Sequence, residues 1–387
     1  MKQGHLFLVL ALGTLKTASF VCAAPAMIPS TNVSGFGFPQ ILPDSRVVFH
    51  VSAPGAKTVA IKVDKVYPAA RGADGVWTAT SDPLVQGFHY YWLLIDDTQV
   101  ADPASQTFFG WGRETSGIEI PGGDDDFYAA HDVPHGEVRE RWYRSTVTGE
   151  WRRLFVYTPP GYDSAAGPRY PVLYLQHGRG ENERGWSSQG RVAFIMDNLI
   201  AAGSAKPMLI VMDHGYAHAS GEGPNIDFHA ERKIFGDIIV KDVIPLVDTT
   251  YRTLADRDHR AIAGLSMGGG QALEIGLSNL ELFSSIGGFS SGGIRGGPAE
   301  IKRMNNGVIA DAQAFNRKVH LVFLGVGAAE PAGIAGGVSE LHEALGHAGI
   351  RNVYFESAET AHEWLTWRRC LKAFAPRLFS DGSAGGS

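Results

Sequence analysis

The sequence predicts two domains in tandem, an all-β sandwich followed by a mostly parallel α/β sheet covered by helices on both faces. Three observations predict it. From residue 45 to about 120, apolar residues recur at every second position in short runs broken by turns. A Pro121-Gly122-Gly123-Asp124-Asp125-Asp126 stretch follows, and beyond it strand-like runs alternate with helix-like ones. The chain has 387 residues, 44% of them hydrophobic, enough for two cores of ordinary size.

At the N-terminus, Leu6 to Leu15 is mostly apolar after Lys2, and Cys22-Ala23-Ala24 has the small–x–small form of a cleavage site. Residues 1–24 therefore read as an export signal, and the mature protein is expected to be secreted or periplasmic. The segment is too short to span a membrane, and no later run reaches ~18 apolar residues. Loss of Lys2 and Lys16 takes the formal net charge from −6 to −8 and leaves Cys370 as the sole thiol, with no internal disulfide.

In the front domain, residues 27–121, Val47, Phe49 and Val51 alternate with Arg46, Val48 and His50. Val59, Ile61 and Val63 alternate with Ala60, Lys62 and Asp64, and His89 to Ile95 is an aromatic and apolar run. Turns are supplied by Ala53-Pro54-Gly55, Gly72-Ala73-Asp74-Gly75 and Asp96-Asp97. Short strands with turns every 8–12 residues are the pattern of a β-sandwich. Its aromatics Trp77, Tyr90, Tyr91 and Trp92 sit on strands, so at least half must face the core. Residues 122–126 read as a linker.

The back domain, residues 127–380, has strand patterns at Arg152–Tyr157, Val172–Gln176, Leu209–Met212, Arg260–Ala263, Leu321–Leu324 and Val353–Phe355. Helical patterns lie between and after them at Val192–Ala201, Ile234–Val247, Gly269–Leu277, Val338–Leu345 and Trp364–Phe374. Alternation of this kind implies a mostly parallel sheet buried on both faces. Residues 381–387 form a Gly/Ser-rich flexible tail.

Composition excludes several classes. Charged residues are 19%, against a usual value of about 25%, too few for a disordered chain or coiled coil. With no basic run of five, nucleic acid is not an expected partner. Two cysteines exclude a disulfide scaffold, a zinc ribbon and an iron–sulfur cluster. His214, His218 and His229 lack a metal-ligand spacing, so neither metal nor cofactor is expected.

The pattern G-x-S-x-G occurs twice, at Gly264-Leu265-Ser266-Met267-Gly268 and at Gly288-Phe289-Ser290-Ser291-Gly292. A nucleophilic serine of this kind needs a strand before it and a helix after it, because the turn between them exposes its hydroxyl. Ser266 has both. After Ser290 comes Gly292-Gly293-Ile294-Arg295-Gly296-Gly297-Pro298, which cannot start a helix promptly, so Ser290 reads as an ordinary loop serine near the site.

Serine needs a base, and in this arrangement the acid and the histidine follow it in the chain. His320, His342 and His347 fall within strand or helix patterns, whereas His362 lies in a loop between a strand and a helix and is the expected base. Glu330 follows the Leu321–Leu324 strand and is the expected acid, with Asp311 and Glu359 as rivals. Backbone amides of Met267, at a helix N-terminus, and Arg179, in the loop His177-Gly178-Arg179-Gly180, are the expected oxyanion donors. His177 is expected to support that loop.

Leu175-Gln176-His177-Gly178, Gly264-Leu265-Ser266-Met267-Gly268-Gly269 and His362-Glu363-Trp364, in this order, resemble the esterase D-like branch of the α/β-hydrolases. Tyr157-Thr158-Pro159-Pro160-Gly161-Tyr162 extends the likeness, which covers roughly residues 127–380. That branch holds carbohydrate esterase family 1, chiefly feruloyl and acetylxylan esterases, with enterochelin esterases and mycolyltransferases. Val47-Val48-Phe49-His50-Val51-Ser52-Ala53-Pro54 and Gly87-Phe88-His89-Tyr90-Tyr91 resemble the immunoglobulin-like early-set module related to carbohydrate-binding family 48. Glu330 departs from the Asp used by many relatives. The resemblance implies a secreted serine esterase that cleaves hydroxycinnamoyl esters of plant cell-wall xylan, with feruloylated xylan or xylo-oligosaccharide as substrate. Trp186, Tyr216 and Trp364 are candidates to line its acyl pocket. An acetylxylan or siderophore esterase, or a silent carbohydrate-binding protein, are the alternatives; the complete Ser–Glu–His order argues against the last.

Overall fold

The structure is a computed structural model that describes Met1 and residues 26–123, 126–164, 167–217, 228–291 and 307–380. Residues 2–24 of the segment read as an export signal, His218, the glycine-rich run after Ser291 and residues 381–387 lie outside the described residues.

Among the described residues, ten strands lie between residues 40 and 120: β1 (Gln40–Ile41), β2 (Val47–Ser52), β3 (Val59–Lys62), β4 (Val66–Pro68), β5 (Ala70–Arg71), β6 (Val76–Thr80), β7 (Gly87–Ile95), β8 (Thr98–Val100), β9 (Thr107–Gly110) and β10 (Arg113–Ile120). They form two antiparallel sheets, β1-β2-β6-β5 and β4-β3-β7-β10-β9, with β8 also on β7. The alternation seen in the sequence is the burial pattern: Val47, Phe49, Val51, Val59 and Ile61 are buried together with Trp77, Tyr91, Leu93 and Ile118. Strand β7 is buried on both faces. Tyr91 and Leu93 fill the core between the two sheets, while Phe88, on the other face, joins a core of the second half of the chain.

Among the described residues, the second half holds one eight-stranded sheet. Its strands are β11 (Glu137–Arg144), β12 (Trp151–Thr158), β13 (Val172–Gln176), β14 (Leu209–Asp213), β15 (Arg260–Leu265), β16 (Ser285–Phe289), β17 (Leu321–Gly327) and β18 (Val353–Ser357). Their spatial order is β11-β12-β14-β13-β15-β16-β17-β18. Pairing is parallel from β14 to β18 and antiparallel at β11–β12 and β12–β14. Among the described residues the helices are α1 (Val192–Ala201), α2 (Phe228–Ile238), α3 (Ile244–Thr250), α4 (Met267–Ser278), α5 (Ala312–Lys318), α6 (Ala332–His347) and α7 (Trp364–Phe374). Two cores cover the two faces of the sheet, one around Val156, Tyr174, Val211, Ile262 and Phe283, the other around Leu173, Leu175, Ile210, Phe289, Phe323 and Phe374.

Two departures from the sequence reading have local causes. Strand β11, Glu-Val-Arg-Glu-Arg-Trp-Tyr-Arg, carries no apolar alternation because it is an exposed edge, where charge discourages pairing with another chain. The helix expected over 234–247 is interrupted at Ile239–Val243 by a stretch of wider π turns. Pro245 has no amide proton to give the Lys241 carbonyl, so the regular ladder cannot run through.

The two halves are bonded closely. Arg368 on α7 donates two parallel bonds to the Glu119 carboxylate on β10, at 2.7 and 2.9 Å. Phe88 and Phe108 pack with Trp186, Trp364 and Leu365. Gly87 has φ +110, and a Cβ there would lie 3.1 Å from Leu365 Cβ.

Candidate active site

Strand β15 ends at Leu265, helix α4 begins at Met267, and Ser266 between them has φ 51 and ψ −114. A non-glycine residue at positive φ is strained, and the surroundings must hold it there. The flanking glycines show how. A Cβ on Gly264 would come within 2.5 Å of Gly268 backbone atoms, and one on Gly268 within 2.4 Å of the His177 carbonyl oxygen. Strand, helix and loop thus pass at distances that no side chain permits. The Ser266 amide donates to the Phe289 carbonyl of the neighbouring strand at 2.7 Å.

His362 Nε2 lies 3.0 Å from Ser266 Oγ, and His362 Nδ1 lies 2.9 Å from Glu330 Oε2. Glu330, at the carboxyl end of β17, has a fully buried side chain. Its other oxygen accepts from the Gly327 amide at 3.0 Å and from the Ser290 hydroxyl. With a donor already on Oε1, Oε2 is directed at the imidazole. The loop that bears His362 is pinned by Thr366 and Thr360, whose hydroxyls bond each other at 2.7 Å. A Cβ on Gly327 would sit 2.3 Å from the Thr360 carbonyl oxygen, so only glycine lets this loop close over β17.

The rivals lie elsewhere. Asp311 caps α5 by accepting from the Ala314 amide, and Glu359 is exposed in a turn at φ 62. Ser290, read as an ordinary loop serine, is buried at φ 54, bonds Glu330 and accepts from Trp367 Nε1 at 3.0 Å. It stands one strand over from Ser266, at the end of β16, which is why its carboxylate contact is hidden from sequence spacing.

Loop 177–181 lies against the turn that carries Ser266. A Cβ on Gly178 would be 3.5 Å from Ser266 Cβ. His177 is buried and bridges the loop, with Nδ1 2.8 Å from the Gly178 carbonyl and Nε2 accepting from the Gly215 amide at 2.8 Å. Burial pushes its imidazole down to about 4, so it stays neutral. The Gly180 amide donates to the Tyr216 hydroxyl at 2.5 Å and the Gly178 amide to Glu181 Oε2 at 3.2 Å. Burial pushes the Glu181 carboxyl up to about 8. Arg179 lines the cavity beside Ser266.

That cavity, about 740 Å³, opens over Ser266 and His362. One wall is the loop and Trp364 and Trp367; the other is supplied by the N-terminal sheets through Phe88, Tyr90, Trp92 and Trp111. A strained strand-to-helix serine in line with a histidine and a buried carboxylate is an arrangement for acyl transfer. The Esterase family model matches residues 145–378, which contain all three.

The chain belongs to the esterase family. Among curated relatives, the endo-1,4-beta-xylanase/feruloyl esterase of Xylanibacter ruminicola is 40% identical over 361 residues, 90% of this esterase and 47% of the relative. An esterase of Mycobacterium tuberculosis is 30% identical over 185 residues, 47% of this chain and 38% of that protein. The chain thus spans about half the length of the first relative and less of the second. Among solved structures, a ferulic acid esterase from Anaeromyces mucronatus superposes with a TM-score of 0.56 at 25% identity, over 66% of this chain and 96% of that one. An enterochelin esterase from Shigella flexneri superposes with a TM-score of 0.62 at 18% identity, over 88% of this chain and 94% of that one, a likeness of fold alone.

Of the three aromatic residues expected at the esterase's acyl pocket, Trp364 lines the cavity. Trp186 does not: it is buried behind Trp364 with ring centroids 5.4 Å apart, its indole N–H given to the Gln176 carbonyl. Tyr216 does not either, its hydroxyl being spent on the Gly180 amide. The sequence reading missed Trp111, Trp92, Tyr90 and Trp367. For Trp111 a signal was present in Gly110-Trp111-Gly112, where an indole between two glycines has no regular element to be buried by. Among the described residues no cluster of His, Cys, Asp or Glu could hold a metal, and no helix is long and apolar enough to cross a membrane.

Proposed function

We propose that this esterase hydrolyses feruloyl (hydroxycinnamoyl) esters on plant cell-wall xylan, and that it does so after export. The cavity carries the reading. Phe88, Tyr90, Trp92, Trp111, Trp364 and Trp367 give it aromatic walls next to Ser266. Burying a flat phenyl ring there contributes about 2–3 kcal/mol by area. The 40%-identical relative, named in part as a feruloyl esterase, matches along 90% of this chain and supports the same substrate.

In this reading Ser266 Oγ attacks the ester carbonyl while His362 Nε2 takes its proton. Glu330 holds the resulting imidazolium through Nδ1–H. The amides of Met267 and Arg179 hold the oxyanion. His362 returns the proton to the departing sugar oxygen, and water repeats the sequence on the acyl-enzyme, releasing the acid. Residues 27–121 act as an immunoglobulin-like, family-48-like module joined by 122–126 to a hydrolase domain at 127–380. Trp111, 74% exposed at the rim, is placed to meet the sugar of the leaving group.

The test is a substrate panel on purified protein. Methyl ferulate is expected to exceed short acetyl esters more than tenfold in kcat/KM, with feruloylated arabinoxylan fragments turned over. A preference for acetyl xylan, or turnover of a ferric siderophore, overturns the substrate and leaves the esterase assignment standing.

A further inference from the structure

We propose that Tyr90, carried by the N-terminal sheets, is a positioning residue for ester hydrolysis. Its hydroxyl holds the oxyanion loop and the start of α7 in register with each other. The inference rests on the reading of loop 177–181 as the oxyanion loop and of His362 as the base.

Tyr90 lies on the face of β7 turned toward the second half of the chain. Its ring lines the cavity, and Gly110 makes room for it: a Cβ there would meet ring carbons at 2.4 and 2.5 Å. The hydroxyl is a junction of three bonds. It accepts from Gln189 Nε2 at 2.7 Å and from Trp364 Nε1 at 3.1 Å. Those two donors occupy both lone pairs, so its own proton goes to Glu181 Oε1 at 3.2 Å. Glu181 Oε2 in turn accepts the Gly178 amide at 3.2 Å, inside the loop that abuts Ser266.

The other branch leads to the base. Trp364 is two residues past His362, and its ring meets Trp367 edge-on at 5.2 Å. Trp367 meets the His362 ring edge-on at 5.1 Å and donates to Ser290, which bonds Glu330. One phenolic oxygen from outside the eight-stranded sheet therefore reaches both sides of the reaction centre. A second tie reinforces it on the backbone. The Gly112 amide donates to the Gly180 carbonyl at 2.8 Å, and Gly180, at φ +80, approaches so closely that a Cβ would lie 3.2 Å from Trp111 Cα.

Removing only the hydroxyl keeps the ring and the packing but leaves Glu181 Oε1 without this donor and loosens Trp364. A loss of positioning appears in the chemical step and not in substrate capture. It also appears on esters that carry no sugar, where a glycan-binding role of the N-terminal sheets has nothing to read.

The experiment uses the full chain with methyl ferulate and p-nitrophenyl acetate. Tyr90→Phe is expected to lower kcat about tenfold on every ester the wild type cleaves, with KM within twofold. Glu181→Gln reads the same network from its other end and is expected to lower kcat comparably, with the double variant little worse than either single. Tyr91→Phe is the control: it removes a buried hydroxyl bonded to Asp102 at 2.8 Å on the opposite face of β7. It is expected to lower Tm and leave kcat unchanged. A Tyr90→Phe kcat within twofold of wild type, or losses that multiply in the double variant, overturns the proposal. Ser266→Ala runs in parallel. If it is inactive while Tyr90→Phe is unimpaired, only the role of Tyr90 falls; if it stays active, the reading of the site falls as well. A wild type inert toward methyl ferulate overturns the substrate alone, and Tyr90 is then judged on p-nitrophenyl acetate.

Discussion

Glu119 and Arg368 form a buried, bidentate ion pair that fastens the last strand of the N-terminal sheets to the helix following His362. The guanidinium is fully buried, lies 4.3 Å from the centre of the Tyr128 ring and also donates to the Gln189 carbonyl. Arg191 stands 3.5 Å from the same carboxylate. Breaking one side of such a pair costs far more than removing both, because a lone buried charge remains. Arg368→Met is expected to lower unfolding free energy by about 3–5 kcal/mol. Glu119→Gln combined with Arg368→Met is expected to recover part of that loss. Urea unfolding midpoints check this, and strictly additive losses would show that the two groups are not coupled.

The spacing of Ser266, His362 and Glu330 predicts a kinetic signature. A nucleophile and base that act as a unit give losses that do not multiply. Ser266→Ala and His362→Ala are each expected to lower kcat by at least about 10⁴-fold, and the double variant by little more. Glu330→Ala is expected to cost less than either, since the carboxylate orients the imidazole and does not take the serine proton. Covalent labelling by a fluorophosphonate, absent in Ser266→Ala alone among conservative serine variants, reports the same assignment.

Ser290 gives a different expectation from the one its loop context suggests. Its hydroxyl and the Gly327 amide are the donors on Glu330 Oε1. Ser290→Ala removes one of the two and leaves Trp367 Nε1 without its acceptor. The expected result is a kcat about tenfold lower with KM nearly unchanged, since one charge-assisted bond of an orienting group is lost. Wild-type activity would show that the Gly327 amide suffices to aim the carboxylate.

The fold is legible where one face of an element decides its pattern. Val47, Phe49 and Val51 alternate because β2 has one buried face. The strand, turn and helix around Ser266 are legible because Gly264 and Gly268 are demanded by backbone contact. Legibility fails where burial comes from another part of the chain. Tyr90 and Trp92 read as ordinary strand aromatics, since nothing local reveals that their face of β7 meets a second sheet. Trp186 and Tyr216 fail for the opposite reason. They follow strands that end beside the site, but Gln176 and Gly180 bond their polar atoms and neither side chain lines the cavity. Ser290 is invisible as a partner of Glu330 because two parallel strands, forty residues apart in the chain, bring them together.

His177 and Glu181, four residues apart in one loop, titrate in opposite senses and predict a stability plateau. Burial holds His177 at about 4 in the folded protein against 6.5 when free. Between those values the unfolded chain binds the extra proton, so stability rises with pH from 4 to 6.5. Burial raises Glu181 to about 8 from 4.5. Between those values the folded chain binds the extra proton, so stability falls as pH climbs from 4.5 to 8. At about 1.4 kcal/mol per pH unit the two effects nearly cancel where they overlap. The joint contribution of these two residues to Tm is therefore expected to be flat from about pH 4.5 to 6.5 and to decline on both sides. Glu183 steepens the acid limb: burial opposes its charge, but bonding to His214 and Arg153 outweighs this and leaves it at about 2, so its contribution is lost as pH falls below 4.5. Glu181→Gln removes the Glu181 share of the alkaline limb, and the variant's Tm should fall less than the wild type's from pH 6.5 to 8. Thermal unfolding at half-unit steps from pH 4 to 8 checks both curves. Parallel profiles above pH 6.5 would show that Glu181 is already ionised in the folded protein, its charge carried by the Gly178 amide and the Tyr90 hydroxyl.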